Sequence, residues 1–192
     1  MKIGTRSLLF GVHQFAIHPW FVAWAWYKLY GFPFDLRLWM AFFIHDLGYW
    51  GKPNMDGPEG EKHPFWAASL MGRLFGIEWY IFCLYHSRFL AKQNEQPFSR
   101  LCVADKLSIA LIPAWLYLLL ASMSGELKEY MQGKGARTPA NDRSPQKWFQ
   151  DVQRYCKQWA ITHIDGRHDT WTGTKRDLDL DVSELDSHVD KS

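Results

Sequence analysis

Every apolar stretch in the first two-thirds of this chain is as long as a helix, and glycine or proline punctuates them. Ser7 to Leu29 is apolar on most sides. Asp35 opens a second stretch, Leu36 to Leu47, closed by Gly48 and Gly51. After the Gly/Pro-rich loop 51–58, Glu61 to Phe75 reads as a third helix stopped by Gly76, and Glu78 to Lys92 as a fourth. Pro97 to Met123 reads as a long fifth helix kinked at Pro113, and Gly125 to Gln132 as a short sixth. No strand-like alternation interrupts this series, so the sequence predicts an all-α helical bundle.

The C-terminal third differs. Residues 133–143 form a polar loop; Ser144-Pro145 then restarts a helix, with serine as N-cap and proline at its first position. Trp148, Val152, Tyr155 and Trp159 recur there at helical spacing. The predicted organisation is a helical domain over 1–132, a polar loop with a C-terminal accessory helix over 133–164, and a polar, acidic tail over 165–192, expected to be poorly ordered.

Charge and composition narrow the function. The 22 Lys and Arg against 20 Asp and Glu give a net charge of +2, without the basic excess of a nucleic-acid-binding protein. Three cysteines without paired spacing rule against a disulfide scaffold or a cysteine zinc knuckle; Cys83 and Cys102 read as small core residues. Leu107 to Met123 is uncharged but at the short edge of a membrane span and contains Pro113; a buried core helix is the preferred reading. Mean hydropathy of −0.28 disfavours several spans. With no convincing export signal, the expected location is the cytoplasm. The 11 Trp, 13 Phe and 8 Tyr are unusual. Trp20, Trp24 and Trp26 read first as packing, while aromatic-rich helices also suit peripheral membrane contact or a homodimer interface.

Chemistry concentrates in histidines and aspartates. His13, His45, His63 and His86 fall on four successive predicted helices; Asp46 follows His45, and Asp105 lies on the fifth. Imidazole and carboxylate together suit first-row divalent metals. Adjacent helical residues point about 100° apart, so His45 and Asp46 can share a metal only near a helix end, which Gly48 and Gly51 supply. His18, before Pro19, reads as a satisfied core histidine, and His163, His168 and His188 as surface residues.

These residues resemble the HD-domain metal-dependent phosphohydrolase superfamily. His13, His45-Asp46 in FFIHDLGYWGKP and Asp105 in LCVADKLS match its H…HD…D signature. His63 in GEKHPFWAASLMG and His86 in LYHSRFLAK extend the match to the dinuclear H…HD…H…H…D branch. The resemblance covers roughly residues 8 to 123 and implies an HD-type bundle whose helices converge on two divalent metal ions, drawn from Fe, Mn, Mg, Co or Zn. By the family pattern His13, His45, Asp46 and Asp105 hold one metal; Asp46 bridges to a second held by His63 and His86. Such a pair activates water and binds phosphoryl oxygens. Cations for the remaining phosphate charge are sought among Lys52, Lys62, Lys106 and Arg88; Lys52 is the first choice, since Lys106 and Arg88 sit beside ligands in sequence and would point elsewhere on regular helices.

The resemblance implies a hydrolase of a small phosphomonoester or phosphodiester, a nucleotide or another phosphorylated compound. The alternative on the same scaffold is a mixed-valence diiron oxygenase that cleaves a carbon–phosphorus or carbon–carbon bond. A ligand-sensing domain and a membrane-peripheral lipid-phosphate hydrolase are further readings. The GYP motif of cyclic-di-GMP phosphodiesterases is missing, because Trp50 follows Gly48-Tyr49.

Overall fold

Helix ends govern this architecture. The computed structural model describes residues 1–132 and 144–164; the expected polar loop over 133–143 and the acidic tail over 165–192, with His168 and His188, lie outside the described residues. The helices are α1 Ile3–Phe10, α2 His18–Tyr30, α3 Leu36–Ile44, α4 Pro64–Phe75, α5 Ile77–Leu84, α6 Arg88–Gln93, α7 Arg100–Leu111, α8 Ala114–Ser124, α9 Glu126–Gln132 and α10 Pro145–Thr162. Single 3₁₀ turns occupy Leu47–Tyr49 and Gly60–Lys62. The described residues contain no strand, and the chain is all-α.

Local chemistry explains the boundaries. Side-chain oxygens of Asp35, Ser87, Ser99 and Ser144 accept from backbone N–H groups of Arg37, Leu90, Cys102 and Lys147 in the first turns of α3, α6, α7 and α10. Pro19, Pro64 and Pro145 occupy first turns, where their missing N–H costs nothing. Gly125 ends α8 in the left-handed region at φ 88°.

Three expected helices are each split in two. The stretch Ser7 to Leu29 breaks at Gly11, the extended C-cap of α1, and resumes at His18. A Cβ on Gly11 would collide with the Glu126 carboxylate, so the turn needs glycine for close approach. The stretch Glu78 to Lys92 breaks at Tyr85–Ser87 between α5 and α6. The expected kinked helix Pro97 to Met123 is instead α7 and α8, turned through 105°. Proline lacks the N–H to continue α7 and drives the residue before it to extended backbone; Ile112 accordingly has φ −73° and ψ 133°. Among the described residues no single helix is long and apolar enough to cross a membrane, although α7 and α8 taken together have the length and composition of a broken span.

α2, α4, α5 and α7 enclose the main core around Trp26, Phe42, Met71, Trp79, Phe82 and Leu101. Each such side chain contributes roughly 1.5–3 kcal/mol by leaving water. α10 lies against α7 and α8, and its Cys156, Trp159 and Ala160 complete this core. A second cluster joins Val12, Ile112, Tyr117 and Phe149. Cys83, Cys102 and Cys156 are free and buried, and burial pushes the Cys102 thiol up to about 12. His18, His45, His63 and His86 lie at or beside ends of α2, α3, α4 and α5.

Candidate metal centre

His45 is the C-cap of α3, and Asp46 follows with φ −95° and ψ −7°, opening the Leu47–Tyr49 turn. This helix end turns both side chains to one side. His18 begins α2, His63 is the N-cap of α4, and His86 lies in the break between α5 and α6. Asp105 alone comes from mid-helix, on α7. Gly48 lets the 3₁₀ turn approach α4, since a Cβ there would collide with the His63 carbonyl.

The donors form two groups sharing Asp46. In the first, His18 Nε2 lies 3.3 Å from Asp46 Oδ2 and 3.2 Å from Asp105 Oδ1. His45 Nε2 lies 3.2 Å from the same Asp46 oxygen and 3.9 Å from Asp105 Oδ1. In the second, His63 and His86 place Nε2 at 3.5 and 3.6 Å from the other oxygen, Asp46 Oδ1. Two ligands each about 2.1 Å from one ion stand roughly 3.0–3.4 Å apart, close to most of these separations.

Hydrogen bonding decides which nitrogen each ring offers. His45 Nδ1 meets Phe42 O at 3.0 Å, His63 Nδ1 meets Gly60 O at 2.8 Å, and His86 Nδ1 meets Cys83 O. A carbonyl only accepts, so each Nδ1 carries a hydrogen, and Nε2 is the nitrogen each ring turns inward to offer a metal in its neutral form. His63 Nε2 and His86 Nε2 are 2.9 Å apart. Two lone pairs that close repel unless a positive charge lies between or beside them. His18 Nε2, His45 Nε2 and Asp46 Oδ2 are buried without a hydrogen-bond partner. An unsatisfied buried polar group costs about 1–3 kcal/mol, and a divalent cation would satisfy all of these atoms together.

The electrostatics agree. Burial alone would raise Asp46, but the imidazoles of His45, His18 and His86 hold it well below the usual carboxylate range. Burial would also raise Asp105; Lys106, His18 and His45 outweigh it. His45 is lowered by burial yet raised overall, to about 10, by Asp46 and Asp105. Both carboxylates thus stay ionised and draw a positive charge between them and the rings. Burial and the neighbouring His86 push His63 far down, leaving it the neutral imidazole that ligates metal. The residues present fit divalent metal ions.

His13 and His18 exchange the places expected from sequence. His13 belongs to neither group; its Nδ1 lies 3.0 Å from Glu126 Oε1 and 2.9 Å from Ser7 Oγ. His18, read from sequence as a core histidine, stands in the first group. A sequence signal for it exists: His18-Pro19-Trp20 repeats the His63-Pro64-Phe65 step, in which proline opens a helix and leaves histidine at its start. Glu126 had no such signal. It is fully buried, accepts from Ser7 Oγ at 2.7 Å, Val12 N at 3.1 Å, Tyr130 OH at 3.1 Å and Ser124 Oγ, and ties α1 to α9.

A cavity of about 290 Å³ opens beside the first group, with His13, His18 and Asp105 on one wall. Phe21, Tyr117, Trp148 and Tyr155 line it, and Arg88 and Lys106 supply cations. Lys106 Nζ is 3.7 Å from Asp105 Oδ2, so it faces the ligands its sequence position predicted it would avoid. An Arg88 Nη donates to Tyr155 OH at 3.0 Å, and the guanidinium lies over the Trp159 ring at 5.0 Å. Lys52, the first choice from sequence, lines a separate groove with Lys62, behind His63. Comparison of the chain with protein-family models, with curated proteins and with solved structures finds no match.

Proposed function

We propose that this protein is a dinuclear metal-dependent phosphohydrolase of the HD type, acting on a small phosphomonoester or phosphodiester. One observation carries the reading: Asp46 turns Oδ2 to His18 and His45 and Oδ1 to His63 and His86. A carboxylate so shared suits a bridge between two cations. His18, His45 and Asp105 would complete one site, and His63 and His86 the other. Divalent ions held there supply Lewis-acid polarisation of a phosphoryl oxygen and a water acidified toward neutral pH.

The chain's own residues supply the rest. Arg88 and Lys106 are the cations of the adjoining cavity and are suited to neutralise the phosphoryl oxygens that the ligands leave uncovered. Phe21, Tyr117 and Trp148 give the cavity aromatic walls around them. Glu126 fixes His13 Nδ1 by hydrogen bonding, leaving Nε2 as the ring nitrogen available for a proton on the cavity side. Lys52 is left out of this machinery because it lines the other groove.

The test is anaerobic turnover of a phosphoester by protein reconstituted with Mn, Co or Fe, alongside metal content. Release of phosphate or a phosphomonoester without dioxygen is expected. Turnover that requires iron and consumes dioxygen would assign the diiron oxygenase instead.

A further inference from the structure

The aromatic residues outside the core are grouped. On α2, Trp20, Trp24 and Tyr27 share the exposed side at helical spacing. Trp20 meets Phe43 of α3 edge-on, with ring centroids 5.5 Å apart. Phe43 lies one residue before the end of α3, and Leu47 and Trp50 begin and follow the 3₁₀ turn after it. Leu47 and Trp50 then wall the groove completed by Phe65 and Trp66. Trp20 is 57% exposed, Trp50 65% and Trp66 50%, so bulky apolar surface lies open to water over two helices and a groove.

The charges on this face are mostly basic. Lys28 lies over the Trp24 ring at 5.5 Å, and Lys52 and Lys62 line the groove with Trp50 and Trp66. Across residues 1–45 the only acid is Asp35, paired to Arg37 at 2.6 Å. Of the acids beside Lys62, Glu61 meets Ser87, while exposed Glu59, held by Asn54, lies near Lys62 and Lys52 and offsets one of the three lysines.

We propose that this face is a docking surface for an anionic lipid bilayer: Trp20, Trp24, Trp50 and Trp66 enter the headgroup layer, and Lys28, Lys52 and Lys62 bind lipid phosphates. Two features select a bilayer over a protein. Interfaces between proteins are enriched in aromatics but depleted in lysine, whereas bilayer-bound surfaces combine both. Indole rings also prefer the headgroup level, with lysine reaching past them to the phosphates. The inference does not rest on the metal chemistry, although His63 also lines the groove.

The experiment is sedimentation of the full chain with phosphatidylcholine vesicles, with and without phosphatidylglycerol. Binding to the anionic vesicles, weakened by salt, is expected. Trp50→Ser with Trp66→Ser should weaken it at least tenfold. Lys52→Gln with Lys62→Gln should weaken it about fivefold per lysine. These side chains are at the surface, so circular dichroism and thermal midpoint should stay unchanged, and the lysine pair serves if the tryptophan pair misfolds. Failure of the wild-type chain to bind anionic vesicles overturns the proposal, as does binding that neither pair weakens. A concentration-dependent dimer that Trp50→Ser and Trp66→Ser dissociate, without vesicle binding, would assign the face to a second copy.

Discussion

His13 and His18 lie five positions apart and do different work because only one of them has a buried carboxylate of its own. Glu126 engages His13, while His18 Nε2 is left facing Asp46 and Asp105. His18→Ala should therefore lose at least one metal per chain by elemental analysis, and His13→Ala should keep both. Asp46→Asn preserves shape but removes the charge that offsets two dications, so it should fold, lose metal and lose turnover. A folded, active Asp46→Asn protein with two metals would falsify the shared bridge. Glu126→Gln leaves His13 without its counter-charge and should cost about 3 kcal/mol, on the order of 6–12 °C in thermal midpoint. Burial raises Glu126, and His13, Ser124 and Ser7 outweigh it, so its folded value lies below the unfolded one. Its stabilisation is complete above the unfolded carboxyl range, near pH 4.5, and is lost as pH falls through the lower folded value. The gap in midpoint between wild type and Glu126→Gln should accordingly narrow below about pH 4.5.

The elements were legible to the extent that local chemistry sets them. Helix type follows from residue spacing, and Ser144-Pro145 marked the start of α10 because a cap and a fixed φ need no distant partner. The break between α1 and α2 was not legible, since Gly11 is required by Glu126, more than a hundred residues away in sequence. Five of the six expected ligands come together, His45, Asp46, His63 and His86 at or beside helix ends and Asp105 from the middle of α7. The sixth, His13, lies against Glu126 instead, and sequence order cannot say which of two nearby histidines meets a buried glutamate. The cations were not legible either: Arg88, just past the break at Tyr85–Ser87, and Lys106 of α7 line the cavity, while Lys52 lines the groove with His63. The approach of the 3₁₀ turn to α4 gives a test at this scale. Gly48→Ala places a methyl against the His63 carbonyl, so the start of α4 must shift. It should weaken the site of His63 and His86 more than that of His18, His45 and Asp105, read as metal content falling toward one per chain.

At the scale of the whole molecule, the carboxylates and inward-turned imidazoles make the convergence point costly without a cation. Chelation should lower the thermal midpoint of the metal-loaded protein. An ion present at about 100 times its dissociation constant contributes roughly 2.7 kcal/mol, on the order of 5–11 °C in a chain of this size. A midpoint indifferent to chelator would argue against the donor groups as a metal site. The placement of the donors at helix ends carries a topological consequence. From His18 to Asp105, bound ions would cross-link successive loops of chain, much as disulfides do, with coordination in place of covalent bonds. The core of α2, α4, α5 and α7 is apolar and packs without them, whereas bound ions would further fix the hinges between helices. Newly made chain awaiting metal would then be protease-sensitive at the segments around His18, Asp46, His63 and His86 while its helices stay formed. Metal supply would then set its lifetime.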